Sequence, residues 1–174
     1  MTETRARDGF TLCSRCALCC DGSLFGDVRL EAGEVETAQK LHLPLVTKET
    51  HLSFRQPCPK LRADATCSIY EERPQACRGF VCHTLSAYQA GEIDLPAAEA
   101  RVRRLRAAAA RVVASLPEGL AEQGLWRGAE MFSEQGESAP DRAAWRAEHG
   151  ALLLDILELE LLCRRDFTTR DKGG

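Results

Sequence analysis

The stretch that most constrains this chain is residues 13–20, Cys-Ser-Arg-Cys-Ala-Leu-Cys-Cys, which places four thiols within eight residues. Packing does not explain such crowding, because a small core has no use for four small, soft side chains side by side. Four more cysteines follow at Cys58, Cys67, Cys77 and Cys82, so the two stretches hold eight of the nine cysteines. Eight thiols suit one or two metal centres, since tetrahedral zinc takes four ligands and cuboidal iron–sulfur clusters take four thiolates. Buried thiols without metal are the plain alternative, and the density argues against it. The odd total also fits a disulfide framework poorly.

Cys13, Cys16 and Cys19 repeat a two-residue gap. That gap lets successive side chains turn inward around one centre, with backbone N–H groups directed at the sulfurs. The C-x2-C-x2-C run opens a ferredoxin-like pattern, and Cys58-Pro59 supplies a distant Cys-Pro of the kind that completes it. Zinc modules more typically use two separated C-x2-C knuckles. The later gaps of eight, nine and four residues offer no second knuckle. Adjacent Cys19 and Cys20 side chains diverge, so one of them is free to reach a second centre or to bridge two metals. All-thiolate sites accept both iron and zinc. The spacing favours an iron–sulfur cluster, with 4Fe-4S the expected form, and zinc is the alternative.

Cys13-x2-Cys16-x2-Cys19-Cys20, then Cys58-Pro59-Lys60-Leu61, then Cys67 through Arg73-Pro74-Gln75-Ala76-Cys77-Arg78 to Cys82, resemble the YkgJ-type CxxCxxCC cysteine cluster family over roughly residues 10–85. The resemblance implies a zinc- or iron-chelating domain. The family also includes a flagellin lysine methylase, so the resemblance extends to an iron–sulfur-linked enzyme that modifies a protein side chain.

Beside the eight candidate ligands, Arg73 and Arg78 are placed to donate hydrogen bonds to cluster sulfurs and offset thiolate charge, or else to pair with Glu71 or Glu72 on the surface. His83 follows Cys82, and with eight thiols at hand it reads as a solvent-facing or supporting residue rather than a ligand. His42, His51 and His149 are scattered and read as ordinary. Consecutive Glu71 and Glu72 point apart and make a poor acid/base pair. Five arginines between positions 101 and 111, with no acid among them, suggest a nucleic-acid face, but no aromatic residues are interleaved and a solvated helix face is the usual cause. There is no Ser-His-Asp grouping, P-loop, zinc-protease motif, or glycine-rich strand–loop–helix for a nucleotide-like methyl donor.

The pattern predicts a mainly α protein: a small, irregular, metal-stabilised cysteine-rich module with a few short strands, plus two long C-terminal helices. The module is expected over residues 10–90 and the helical extension over residues 94–167, packed as one compact unit. Short strands are expected over residues 26–30 and within 42–56, a short helix over 31–41, and irregular chain over 57–82. Asp94 and Pro96 start a helix that runs to about residue 116, with a seam of Val102, Leu105, Ala109, Val112 and Leu116. Residues 117–140 read as a loop with one helical turn at 125–132, and Ser138 with Asp141 resembles a capping box. The last helix, 141–165, carries one stripe of Trp145, Leu152, Ile156, Leu159 and Cys163 and a second of Leu154, Leu157 and Leu161. It therefore either sits between the first long helix and the cysteine module or forms a homodimer. Cys163, on the first stripe, is expected to be a core residue rather than a ligand.

The charged opening, residues 1–8, has no apolar run and predicts no secretory leader, and residues 151–163 are too short and too acidic to span a bilayer. A cytoplasmic location is the expectation, where dense cysteines mean metal more often than disulfides. Three functions are then open: a redox or accessory module serving a protein partner, the side-chain-modifying enzyme, or a structural zinc adaptor.

Overall fold

The computed structural model describes residues 9–168; the charged opening at 1–8 lies outside the described residues. Two antiparallel-packed features carry the helical half: α5 (Leu95–Ser115) and α8 (Arg142–Asp166), which lie along one another. The Asp94 side chain caps α5 by accepting the Ala97 N–H at 2.9 Å, with Pro96 in the first turn where its missing N–H is harmless. The expected seam from Val102 to Leu116 is buried throughout, against Leu152, Ile156, Leu159 and Cys163 of α8. The second stripe of α8 is not covered: Leu154, Leu157 and Leu161 are 68%, 51% and 56% exposed. α8 does lie against more than one neighbour, α5, α7 and, at its end, α4 of the cysteine half, but this second stripe takes no part in those contacts.

Between them lie α6 (Glu118–Ala121) and α7 (Leu125–Ser138). The latter is a full helix where the sequence predicted a loop with one turn. Its glycines, which read as breakers, are packing requirements: a methyl group at Gly128 would overlap the Leu120 carbonyl, and one at Gly136 would overlap the Trp145 ring. The capping box is also corrected. Ser138 ends α7, and Asp141 itself caps α8 by accepting the Ala143 and Ala144 N–H groups at 3.0 Å each.

The cysteine half begins with α1 (Gly9–Cys16), followed by β1 (Asp27–Arg29), α2 (Val35–Lys40), β2 (Leu45–Thr47) and β3 (Leu52–Arg55). The strands form an antiparallel sheet of order β1-β3-β2, with Val28 opposite Phe54 and Leu45 opposite Phe54 on the other side. Phe54 packs with Leu30, Ala38 and Leu43 in a small core. Two short helices follow, α3 (Gln75–Gly79) and α4 (His83–Ala90), the latter stopped by Gly91 in the left-handed region. Leu12, Leu85, Tyr88 and Ala98 make a second small core that joins α1 and α4 to α5. Leu18 and Leu24, from the loop after α1, enter the main α5–α8 core. The molecule is mainly helical with one small sheet. No described helix is long and apolar enough to cross a membrane.

Candidate metal centre

All eight clustered cysteines line one cavity of about 1060 Å³. Cys13 and Cys16 stand on α1, Cys19 and Cys20 in the turn beyond it, and Cys58 just after β3. Cys67 sits in a β-bridge with Leu61, Cys77 on α3, and Cys82 at the N-cap of α4. Cys13 is exposed and the other seven are partly buried. Cys163 is fully buried among α5 and α8 residues and does not reach the cavity.

The turn after α1 decides where these thiols go. Ala17 adopts a left-handed conformation at φ 51°, and its carbonyl accepts the N–H groups of Cys20 at 2.7 Å and Asp21 at 2.9 Å. The chain reverses there, so Cys19 stays with the α1 cysteines while Cys20 faces the later ones. The Cys58 N–H donates to the Cys20 carbonyl at 2.8 Å and brings the second stretch alongside.

Mutual electrostatics sort the thiols into two neighbourhoods. Cys13 is raised by desolvation and by the Cys82 thiolate. Burial pushes Cys16 up to about 12, with Cys82 and Cys13 adding to it, and pushes Cys19 well up, with Cys16 and Cys82 its strongest thiol neighbours. Burial likewise raises Cys20 to about 11, where Cys58 and Cys67 are its strongest neighbours, and Cys77 to about 12, where they are Cys20, Cys58 and Cys67. The strongest mutual influences link Cys13, Cys16, Cys19 and Cys82 on one side and Cys20, Cys58, Cys67 and Cys77 on the other, and the two sides also meet, with Cys20 raising Cys19 and Cys13 raising Cys20. The sequence pattern offered Cys58-Pro59 as the completion of the C-x2-C-x2-C run. In the fold Cys82 is the later cysteine that most influences Cys13, Cys16 and Cys19, while Cys58 influences Cys20 and Cys77.

Backbone donors serve several of these sulfurs. Leu85 N–H donates to Cys82 Sγ at 3.3 Å, at the positive end of α4. The Leu18 N–H favours the Cys16 thiolate, and those of Lys60 and Leu61 favour Cys58. Among the described residues, no three His, Cys, Asp or Glu donors stand close enough to grip an ion as placed, so the sets are neighbourhoods around a cavity rather than closed shells. The donor chemistry still fits an all-thiolate metal site: soft ligands, a shared cavity and N–H groups aimed at sulfur.

Arg73 and Arg78 take up neither arrangement expected of them in the bonds they make. Arg73 lies over the Tyr70 ring at 3.6 Å and donates to the Tyr70 carbonyl at 2.6 Å. Arg78 donates to the carbonyls of Arg73 at 2.8 Å and Glu71 at 2.6 Å. Both brace the loop ahead of Cys77, and the Arg73 charge favours the thiolates of Cys13 and Cys77. His83 is exposed, and its backbone N–H donates to Phe167 O at 2.9 Å. The α5 arginines meet acids of the same chain: Arg101 and Arg104 reach Asp166, Arg103 reaches Glu99, and Arg111 pairs with Asp155 and Glu158. Arg106, not singled out for the site by the sequence, donates to the Cys16 carbonyl at 2.7 Å. Its only advance signal was its place in the arginine-rich run.

Residues 12–95 match the model of the CxxCxxCC family, whose description reads "Putative zinc- or iron-chelating domain". No curated protein and no solved structure matches the chain. The segment similar to the CxxCxxCC family, residues 12–95, takes in all eight clustered cysteines and stops at the first residue of α5.

Proposed function

We propose that the protein binds two four-thiolate centres, one held by Cys13, Cys16, Cys19 and Cys82 and the other by Cys20, Cys58, Cys67 and Cys77, and that these are iron–sulfur clusters of a cytoplasmic redox or accessory module. The observation that carries this reading is the convergence of eight thiols on one cavity, and the division into two fours follows their strongest mutual influences. An iron–sulfur cluster, when bound, supplies one-electron transfer. The chain's part is to hold the thiolates, to direct the N–H groups of Leu18, Lys60, Leu61 and Leu85 at their sulfurs, and to add the Arg73 and Arg106 charges nearby. Without a cation Cys16, Cys20 and Cys77 remain protonated at neutral pH, since burial and then the neighbouring thiolates hold them above the ordinary value. A metal ion offsets that repulsion. The first set keeps the C-x2-C-x2-C spacing of ferredoxin-like sites, which favours iron over zinc.

Purification without oxygen, followed by iron, zinc and acid-labile sulfide analysis and a visible spectrum, tests the proposal. The expected protein is brown, contains iron and sulfide, and has a broad charge-transfer band that bleaches on reduction. Full zinc occupancy with neither iron nor sulfide overturns the iron–sulfur reading and makes the protein a structural zinc adaptor.

A further inference from the structure

We infer that the α5–α8 pair, beyond the family segment, holds the first thiol set in register, with Thr84, Asp166 and Arg106 as positioning residues. This rests on the two-centre reading. The first set joins two distant parts of the chain, residues 13–19 and Cys82, and each part is fastened to the long helices. Cys82 precedes α4, whose first turn is tied to the end of α8. Thr84 Oγ1 donates to the Asp166 carbonyl at 2.5 Å, and His83 N–H donates to the Phe167 carbonyl at 2.9 Å. Thr84 and Asp166 are 0% and 3% exposed, so the bond between them has no water as a ready substitute.

Asp166 is itself fixed from three directions. Its carboxylate accepts two hydrogen bonds from Arg165, at 2.9 and 2.6 Å, and lies 3.8 Å from both Arg101 and Arg104 of α5. On the other side of the thiol set, Arg106 of α5 donates to the Cys16 carbonyl at 2.7 Å and stands 3.6 Å from the Asp21 carboxylate. It spans the turn that carries Cys19. These ties bridge 82 and 90 residues of sequence. The second set is fastened within the cysteine half instead: Cys58 N–H to the Cys20 carbonyl, and Gln75 N–H, at the head of α3, to Glu34 Oε1 at 2.5 Å. The two sets should therefore respond differently to damage in the helices.

Cadmium is a suitable probe, because thiolate–cadmium charge-transfer absorbance reports occupancy whether the natural metal is iron or zinc. Full-length protein is loaded with cadmium without oxygen, and release to a chelator is followed for the parent, Thr84→Val, Thr84→Ser and Arg106→Gln, with helix content followed by circular dichroism. The parent should show two release phases of equal amplitude. Thr84→Val and Arg106→Gln should speed one phase about tenfold, the low end of what removing a partner of a metal ligand does, and leave the other unchanged. Thr84→Ser, which keeps the hydroxyl, should release like the parent. Arg106 is half exposed, so its variant tests the idea even if Thr84→Val folds poorly. Parent-like release in both variants, or equal acceleration of both phases, overturns the inference while the two-centre reading stands. A single phase in the parent overturns both.

Discussion

The helical half of the molecule gathers its apolar side chains into one cluster in which Leu105, Ala108, Val112, Leu159 and Cys163 are all 0% exposed. The cysteine half lends Leu18 and Leu24 to that cluster and splits the rest between two clusters of four buried residues each, one of them completed by Ala98 of α5. The difference is one of energy source. Burial stabilises by about 25 cal/mol per Å² of apolar surface, and long amphipathic helices supply that surface in one continuous seam. Short strands and turns supply little of it. Ligation of a structural metal is worth on the order of 10 kcal/mol, enough to decide the folding of a module whose core is this small.

Metal removal should break the comparison open most widely. Chelation, or oxidative cluster loss, is expected to unfold residues 9–90 and to leave α5, α7 and α8 largely helical. Hydrogen exchange by mass spectrometry checks this, and a metal-free protein with fully protected amides around Cys13 to Cys82 would refute it.

The next largest effect is of pH on metal uptake. Burial first, then neighbouring thiolates, holds Cys16 and Cys77 at about 12 and Cys20 at about 11, against an ordinary 9.0. Whether folded or unfolded, the metal-free chain carries these thiols protonated below about pH 9, and each must give up its proton to ligate. Metal binding should therefore release protons, and apparent affinity should rise steeply with pH below about 9. Cadmium affinity that stays flat between about pH 6 and about pH 8 would show the argument wrong.

Substitution of single cysteines sharpens the contrast further. Cys163→Ala truncates a filled core position and should cost about 1 kcal/mol with metal content intact. Cys16→Ala should lower metal content, since it removes a proposed ligand. Metal analysis and urea unfolding of the two variants make the comparison, and loss of metal from Cys163→Ala would place a ligand in α8. The smallest effect belongs to the uncovered stripe. Leu157→Ser at a 51% exposed site should change monomer stability by about 0.5 kcal/mol or less. A larger loss that grows on dilution would show the stripe buried between two copies of the chain.

The helical half was legible because its seam repeats at three- and four-residue steps and Asp94 and Asp141 mark its starts. α7 was not, since Gly128 and Gly136 read as breakers, and the Leu120 carbonyl and Trp145 ring that demand them belong to the neighbouring helices α6 and α8, which only the folded chain brings against them. α4 offered only Leu85 and Tyr88 to the core, too few for a period to show. Among the cysteines, the sequence identified the eight that share the cavity and set Cys163 apart. Their partition was hidden because it depends on the Ala17 reversal and the Cys58–Cys20 hydrogen bond, neither of which leaves a mark in spacing.

That partition separates two neighbours in sequence. Cys19 faces one set and Cys20 the other, so a single peptide unit, about 3.8 Å from Cα to Cα, is the shortest covalent route between the proposed centres. The order of these two neighbours in the chain thus matters as much as their presence: a residue inserted between them would shift Cys19 or Cys20 out of its neighbourhood while leaving every thiol in the chain.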